Sequence, residues 1–291
     1  MDDVLPPREY PPVQPSEYPQ IPTRTPLATF EKVHASCVSG DILKFREILD
    51  SQSSSEEDFD ICDFHAIMIE VIKLGDSQFI NELLDRGLPM DPLYASAAMQ
   101  VNGTDALAVF LQNRWNINQP MSELKPPVLG YVIADEEMTA WLLDHGADPN
   151  RQCVIDLTPL SLAVESAPIS IIQLMLSRGG DARKRQLLHH AMERHGHSYN
   201  TIAVLKLLIK NGADINSTMY EDHYPSRALF PFMALGTALH KAAELGKVDV
   251  VHYLVSEGAN LSIKDAHGRT ALEYVQTLNQ WEVVQAFEKG N

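Results

Sequence analysis

Four apolar positions recur along this chain at fixed distances ahead of a glycine. Counted back from Gly179, positions eight, seven, four and three are Ile171, Ile172, Met175 and Leu176; from Gly212 they are Val204, Leu205, Leu208 and Ile209. Gly258 follows Val250, Val251, Leu254 and Val255, and Gly87 follows Phe79, Ile80, Leu83 and Leu84. These spacings place all four side chains on one stripe of an α-helix. The glycine predicts the helix end, because a residue without Cβ enters the left-handed cap conformation at little cost. A second helix is predicted ahead of each. Thr158-Pro159-Leu160 opens at the same distance before Gly179 as Thr237-Ala238-Leu239-His240 does before Gly258. A threonine hydroxyl caps such a helix, and proline is tolerated at its first position.

The helix pairs are periodic. Gly146, Gly179 and Gly212 are evenly spaced, and Thr270-Ala271-Leu272 follows Thr237 at that same interval, led in by the turn Asp265 to Arg269. One such unit cannot bury its own stripe, so units must stack and the outermost ones must be polar. Both ends fit. The first stripe reads Lys44, Phe45, Ile48 and Leu49, and the last keeps Val283, Val284 and Phe287 but places Glu288 at its fourth position.

These residues resemble the ankyrin repeat, a family with a period of about 33 residues. Thr237 to Gly258 and Thr158 to Gly179 carry the resemblance best; the remaining units are degenerate, and Arg114 stands where a stop glycine is expected. The resemblance implies an all-α, ankyrin-repeat solenoid of stacked helix-turn-helix pairs with finger loops. It covers 27–291 as one domain, with units at about 27–52, 61–91, 92–119, 126–156, 157–184, 185–236, 237–269 and 270–291, behind an extended Pro-rich head at 1–26.

That head holds eight of the 18 prolines, including Pro12-x-x-Pro15. Prolines at that density exclude it from a helical core and favour polyproline II. Three insertions break the period. Residues 50–58 form a polar, acidic loop in which Ser53, Ser54 and Ser55 each precede an acid by three positions, as an acid-directed kinase requires. His195-Gly196-His197 interrupts the sixth unit; with His189 and His190 it raises a metal question, but no zinc-like spacing follows. His189 occupies the slot of His240, where the family's histidine braces the neighbouring turn. The third insertion, 217–236, stretches the interval from Gly212 to Gly258 well beyond one period, and it is rich in aromatics and methionine. Such a loop either folds back over its own stack or binds a partner.

Composition narrows the function. Thirty-nine acidic against 23 basic residues give a formal charge of −16, which disfavours nucleic acid and anionic membrane as partners. No apolar run suits a membrane helix. The acidic, Pro-rich start is no secretory signal, and three scattered cysteines make no disulfide framework, so an intracellular, cytoplasmic or nuclear setting is expected. No G-x-S-x-G, H-E-x-x-H, G-x-G-x-x-G or phosphate-loop motif occurs. The reading is a non-catalytic protein-interaction adaptor or scaffold, monomeric by itself, without cofactor or metal. The alternative is an enzyme or small-molecule binder with a pocket under 217–236.

The resemblance also implies where a partner binds: finger tips and inner-helix ends form a concave face. Its inner-face positions are Glu165, Ser166, Glu193, Arg194, Glu244, Leu245, Thr277 and Leu278. The finger positions are Val154, Ile155, Leu157, Arg183, Arg185, Ala266, His267 and Arg269, and the insertion adds Tyr220, Glu221, His223, Tyr224, Phe230 and Phe232. Glu165, Glu193 and Glu244 share one slot in successive units. They are expected to form an acidic column that selects a partner's basic segment. A third arrangement would place the Pro-rich head in this groove as a pseudo-ligand.

Overall fold

The computed structural model describes residues 24–53, 59–183, 186–196, 198–221, 223–230, 233 and 235–289. The expectations for residues 1–23, Ser54, Ser55, Arg185, His197 and Phe232 lie outside them. The chain divides into two compact units, Met1–Pro89 and Met90–Asn291. Among the described residues there are helices, turns and isolated bridges, but no strands.

In the first unit α1 (Leu27–Ser39) pairs with α2 (Ile42–Ser53), and α3 (His65–Leu74) with α4 (Ser77–Asp85). Pro26 precedes α1 at its N-cap, and Gly40 ends it at φ +69°. Thr25 anchors the approach to α1, donating its amide to Asp63 Oδ2 at 2.8 Å. The core is aromatic: Phe30 stacks on Phe64 at 4.7 Å, and Phe45 meets Phe79 edge-on at 4.9 Å.

The second unit holds six further pairs: α5 (Pro92–Gln100) with α6 (Thr104–Gln112), a 3-10 turn (Val128–Tyr131) with α7 (Glu136–Asp144), and α8 (Pro159–Ser166) with α9 (Ile169–Ser177). Then come α10 (Leu187–Met192) with α11 (Ser198–Lys210), the short α12 (Tyr224–Leu229) inside the insertion, α13 (Ala238–Glu244) with α14 (Val248–Ser256), and α15 (Ala271–Thr277) with α16 (Trp281–Lys289). Inner helices pack on inner helices (α8 on α10, α10 on α13, α13 on α15), and outer on outer (α7 on α9, α11 on α14, α14 on α16). The expected stripes face the core: Ile171, Ile172, Met175, Val204, Leu205, Leu208, Val250, Val251 and Leu254 are all buried. The fourth position of each of these stripes is only half-buried.

One expectation fails. A second helix ahead of every stripe is absent in the fourth repeat, where Val128–Tyr131 makes a single 3-10 turn. Pro127 stands at its N-cap, a position from which Pro26 and Pro168 open full helices, so the prolines do not account for its shortness. Gly130 lets the turn approach α8, since a Cβ there would lie 2.9 Å from the Leu162 side chain.

The stop glycines are left-handed. Gly146, Gly179, Gly212 and Gly258 have φ between +90° and +98°, and Arg114 is forced to φ +63° in the same slot. A side chain in that conformation costs about 1 to 2 kcal/mol. Arg114→Gly is therefore expected to stabilise the second unit by about 1 kcal/mol, raising its melting temperature by about 2 to 4 °C. An unchanged or lower value in a thermal melt would refute this account.

A brace unseen in the sequence locks the fingers together. The Asp148 amide donates to Asn118 Oδ1 (2.7 Å), that of Asp181 to Asn150 Oδ1 (2.7 Å), and that of Asn260 to Asn216 Oδ1 (2.8 Å). The last of these spans the long insertion, so the stack continues in register beneath it.

Candidate functional site

The inner-helix ends of α8, α10, α13 and α15 are tied together by polar side-chain contacts. His190 Nδ1 lies 2.6 Å from Glu165 Oε1. Lys241 Nζ bridges Glu193 Oε1 at 3.3 Å and Glu244 Oε2 at 3.4 Å. The Tyr274 hydroxyl donates to Glu244 Oε1 at 3.1 Å, and the Arg269 guanidinium covers the Tyr274 ring at 4.2 Å. Burial acts to lower the Lys241 pKa, but Glu244 and Glu193 outweigh it and hold the ammonium above its ordinary value. Each glutamate of the expected column thus has a partner on the next helix. The column is a ladder of paired polar groups rather than three free carboxylates.

Carbonyls at the helix ends are satisfied in the same way, each by a side chain from the following repeat. Arg194 donates from Nη1 to Val164 O (2.7 Å) and from Nη2 to Ala167 O (2.9 Å), closing α8. Lys247 Nζ donates to Met192 O (2.6 Å) and Arg194 O (3.0 Å), closing α10. Gln280 Nε2 donates to Glu244 O (2.9 Å), closing α13. Last-turn carbonyls otherwise lack partners, and cations suit the negative end of the helix dipole. Burial lowers the pKa of both Arg194 and Lys247. Sequence reasoning missed Lys241, Lys247, Tyr274 and Gln280. Lys241 alone left a local signal, one helical turn before Glu244.

The expected histidine brace is present twice. His189 Nε2 lies 2.9 Å from Gly236 O, and His240 Nε2 lies 3.2 Å from Arg269 O. The Thr237 amide donates to His240 Nδ1 at 3.1 Å, which places the proton of this ring on Nε2. Burial lowers the His240 pKa, against the opposing pull of the Arg269 carbonyl. Between the insertion and α13 lies an open cleft of about 330 Å³. Met219, Met233 and Leu235 form one wall, and Lys241, Glu244 and Tyr274 another.

The insertion both folds back and projects. Its base closes through Met219 N donating to Gly236 O at 3.0 Å. Tyr220 stacks on Phe230 at 5.8 Å. Burial, then the charges of Asp156 and Glu165, push the Tyr220 phenol up. His223 accepts the Ser226 amide at its own Nδ1 and approaches Gln152 at 3.4 Å. Tyr224 is 81% exposed, and Glu221 is exposed while accepting a bond from the Thr218 hydroxyl.

Of the remaining predicted positions, Ser166, Val154, Arg183, Ala266 and His267 are exposed, and Ile155 and Leu157 are half-buried. Arg183 pairs with Asp181 at 2.8 Å in its own finger. Leu245 and Leu278 occupy equivalent slots and are 41% and 42% exposed. Among the described residues, no cluster of three or more histidine, cysteine or acidic side chains could hold a metal ion. No described helix is long and apolar enough to cross a membrane.

Comparison with known proteins agrees with this geometry. Residues 129–219 match the family described as ankyrin repeats (3 copies), and residues 236–266 match the ankyrin repeat. The gap between the two matches coincides with the insertion. Among curated proteins, the chain is 30% identical over 122 residues to the B-cell lymphoma 3 protein homolog of Mus musculus, covering 40% of this chain and 23% of that protein. It is 37% identical over 87 residues to the probable E3 ubiquitin-protein ligase XBOS34 of Oryza sativa subsp. japonica, covering 30% of this chain and 15% of that protein. A second rice protein, the probable E3 ubiquitin-protein ligase XBOS33, is 32% identical over 77 residues, covering 26% and 15%. The chain therefore spans less than a quarter of the length of each of these relatives. Stacked helix pairs, left-handed stops, histidine braces and the two family matches agree that residues 129–219 and 236–266 are ankyrin repeats.

Proposed function

We propose that this protein is a non-catalytic adaptor that binds a protein partner through the inner-helix ends and fingers of its second unit. Ankyrin-repeat domains are in general non-catalytic modules for binding other proteins. The observation that carries the reading is the pair Leu245 and Leu278. Two large apolar side chains stand exposed in the same slot of adjacent repeats, and the Gln280 bond to Glu244 O holds the two loops together. Exposed apolar groups arranged together are what an interface covers. Tyr224 and the fingers at 154–157 and 266–269 would extend that surface, and the overall charge of −16 favours a partner with a basic segment. An intracellular setting is part of the same proposal. The enzyme or small-molecule alternative receives less support, because in the cleft under the insertion Lys241 pairs with Glu244, and Arg269 pairs with Asp265.

The test is capture of partners from a lysate by the intact chain and by a Leu245→Asp/Leu278→Asp variant. Both positions are exposed, so the variant is expected to keep its circular dichroism spectrum and melting temperature. A protein held by the intact chain and lost by the folded variant supports the reading; equal retention by both overturns it.

A further inference from the structure

The fourth repeat departs from its neighbours where the inner helix should be, and that departure leaves a space. A 3-10 turn of four residues stands in place of a helix. Beside it lies a cleft of about 320 Å³ between the end of α5 and the start of α7. Its apolar lining is Met99, Tyr131, Val132 and Met138, with Asn102 and Asp135 among the polar groups. Tyr131 is 45% exposed, so the ring forms an open wall rather than core. Thioethers adapt to differently shaped side chains, which suits them to recognition surfaces.

The charge around this space has one sign. Among the described residues, no lysine, arginine or histidine lines the cleft, while Asp135 does, and the exposed Glu136 and Glu137 follow directly on α7. Asp135 is held in place by accepting the Met138 amide at 2.9 Å, and Glu136 accepts from the Ser170 hydroxyl at 3.2 Å. These acids also complement the α7 dipole, which explains their presence but does not cancel their charge toward an incoming group.

We infer that this cleft seats one large apolar side chain of a basic partner segment, with flanking cations facing Asp135, Glu136 and Glu137. The inference rests on the reading of the chain as a protein-binding adaptor, and adds a pocket in the third and fourth repeats to the surface around Leu245 and Leu278. The volume holds a single tryptophan, phenylalanine or methionine side chain, the usual size of an interface anchor.

The experiment uses the full chain with ¹³C-methyl-labelled methionine, titrated with the peptide Lys-Lys-Trp-Lys-Lys. The Met99 and Met138 methyl resonances are expected to shift and saturate at about millimolar peptide, a reasonable scale for one anchor and its flanking charges. Replacing the tryptophan by alanine, or the lysines by glutamates, should weaken the response by about tenfold or more. Tyr131→Ser, at an exposed position, should abolish it while leaving the other methionine resonances in place. Shifts confined to Met219 and Met233, no shifts at all, or an equal response to the glutamate peptide would overturn the inference. Capture through Leu245 and Leu278 reads out separately. Intact capture without Met99 shifts overturns the cleft alone, whereas Met99 shifts with failed capture support the cleft and remove the Leu245 surface.

Discussion

Phe79→Ala is expected to destabilise the first unit by about 3 to 5 kcal/mol, the usual cost of emptying a buried aromatic site. Phe79 is 1% exposed on α4, and its ring meets that of Phe45 edge-on at 4.9 Å. The variant loses both the transfer energy of the ring and the aromatic pair. A unit of this size has about 4 to 13 kcal/mol in total, so the variant loses a large share of it and should unfold at a markedly lower temperature. Amide hydrogen exchange across α2, α3 and α4 measures that loss directly. Phe79→Leu, which retains most of the volume, should cost less than about 1.5 kcal/mol. If the alanine variant costs no more than the leucine one, the aromatic core is not what holds these helices.

Asp265→Ala is expected to destabilise the second unit by about 2 to 4 kcal/mol. The Asp265 side chain is fully buried. It accepts from the His267 amide at 2.9 Å, the Arg269 amide at 2.9 Å, and the Arg269 guanidinium at 3.0 and 2.8 Å. Removing one partner of a buried pair strands the others, at about 3 to 5 kcal/mol when both are fully enclosed. Arg269 retains access to water, at 31% exposure, which puts the expected cost toward the lower end. Burial acts to raise the Asp265 pKa, but the donors from Arg269 and His267 outweigh it, and the folded value lies below the ordinary 3.8. Its contribution is present in full well above pH 3.8 and is lost as pH falls through the lower folded value. Urea unfolding of wild type and variant should therefore differ most near neutrality and converge in acid. A gap that persists below the folded pKa would show that Asp265 acts through packing instead.

Much of the fold was legible because the repeat is a local code. An apolar stripe three and four residues apart, a glycine stop and a threonine cap each act within a few residues, so their consequences can be read without knowing the neighbours. The period does not guarantee each element: the inner helix of the fourth repeat is one 3-10 turn, Val128–Tyr131. Arg114 shows the opposite case. There the packing of Phe110 and Trp115 on either side, both buried, holds a side chain in a conformation it does not favour.

The candidate site was less legible. Glu165, Glu193 and Glu244 could be aligned to one slot from the sequence, but their environment could not. Their partners come from elsewhere in the stack: His190 reaches Glu165 and Tyr274 reaches Glu244 from the following repeat, and Lys241 reaches Glu193 from beyond the long insertion. Arg194, expected to face a partner, closes α8 instead, because the helix-end carbonyls of one repeat lie against the side chains of the next. The insertion likewise reaches Gln152 from His223, joining it to a finger far earlier in the chain.

By itself, then, the sequence determined the helix pairs, their stops and caps, the period, the histidine braces and the family to which they belong. Each of these depends on contacts within one repeat or on a spacing that recurs between repeats. Only the tertiary structure decided which carboxylates are paired, which carbonyls are capped by the next repeat, and where clefts remain. These depend on distances between side chains far apart in the chain, set by stacking rather than by any local pattern.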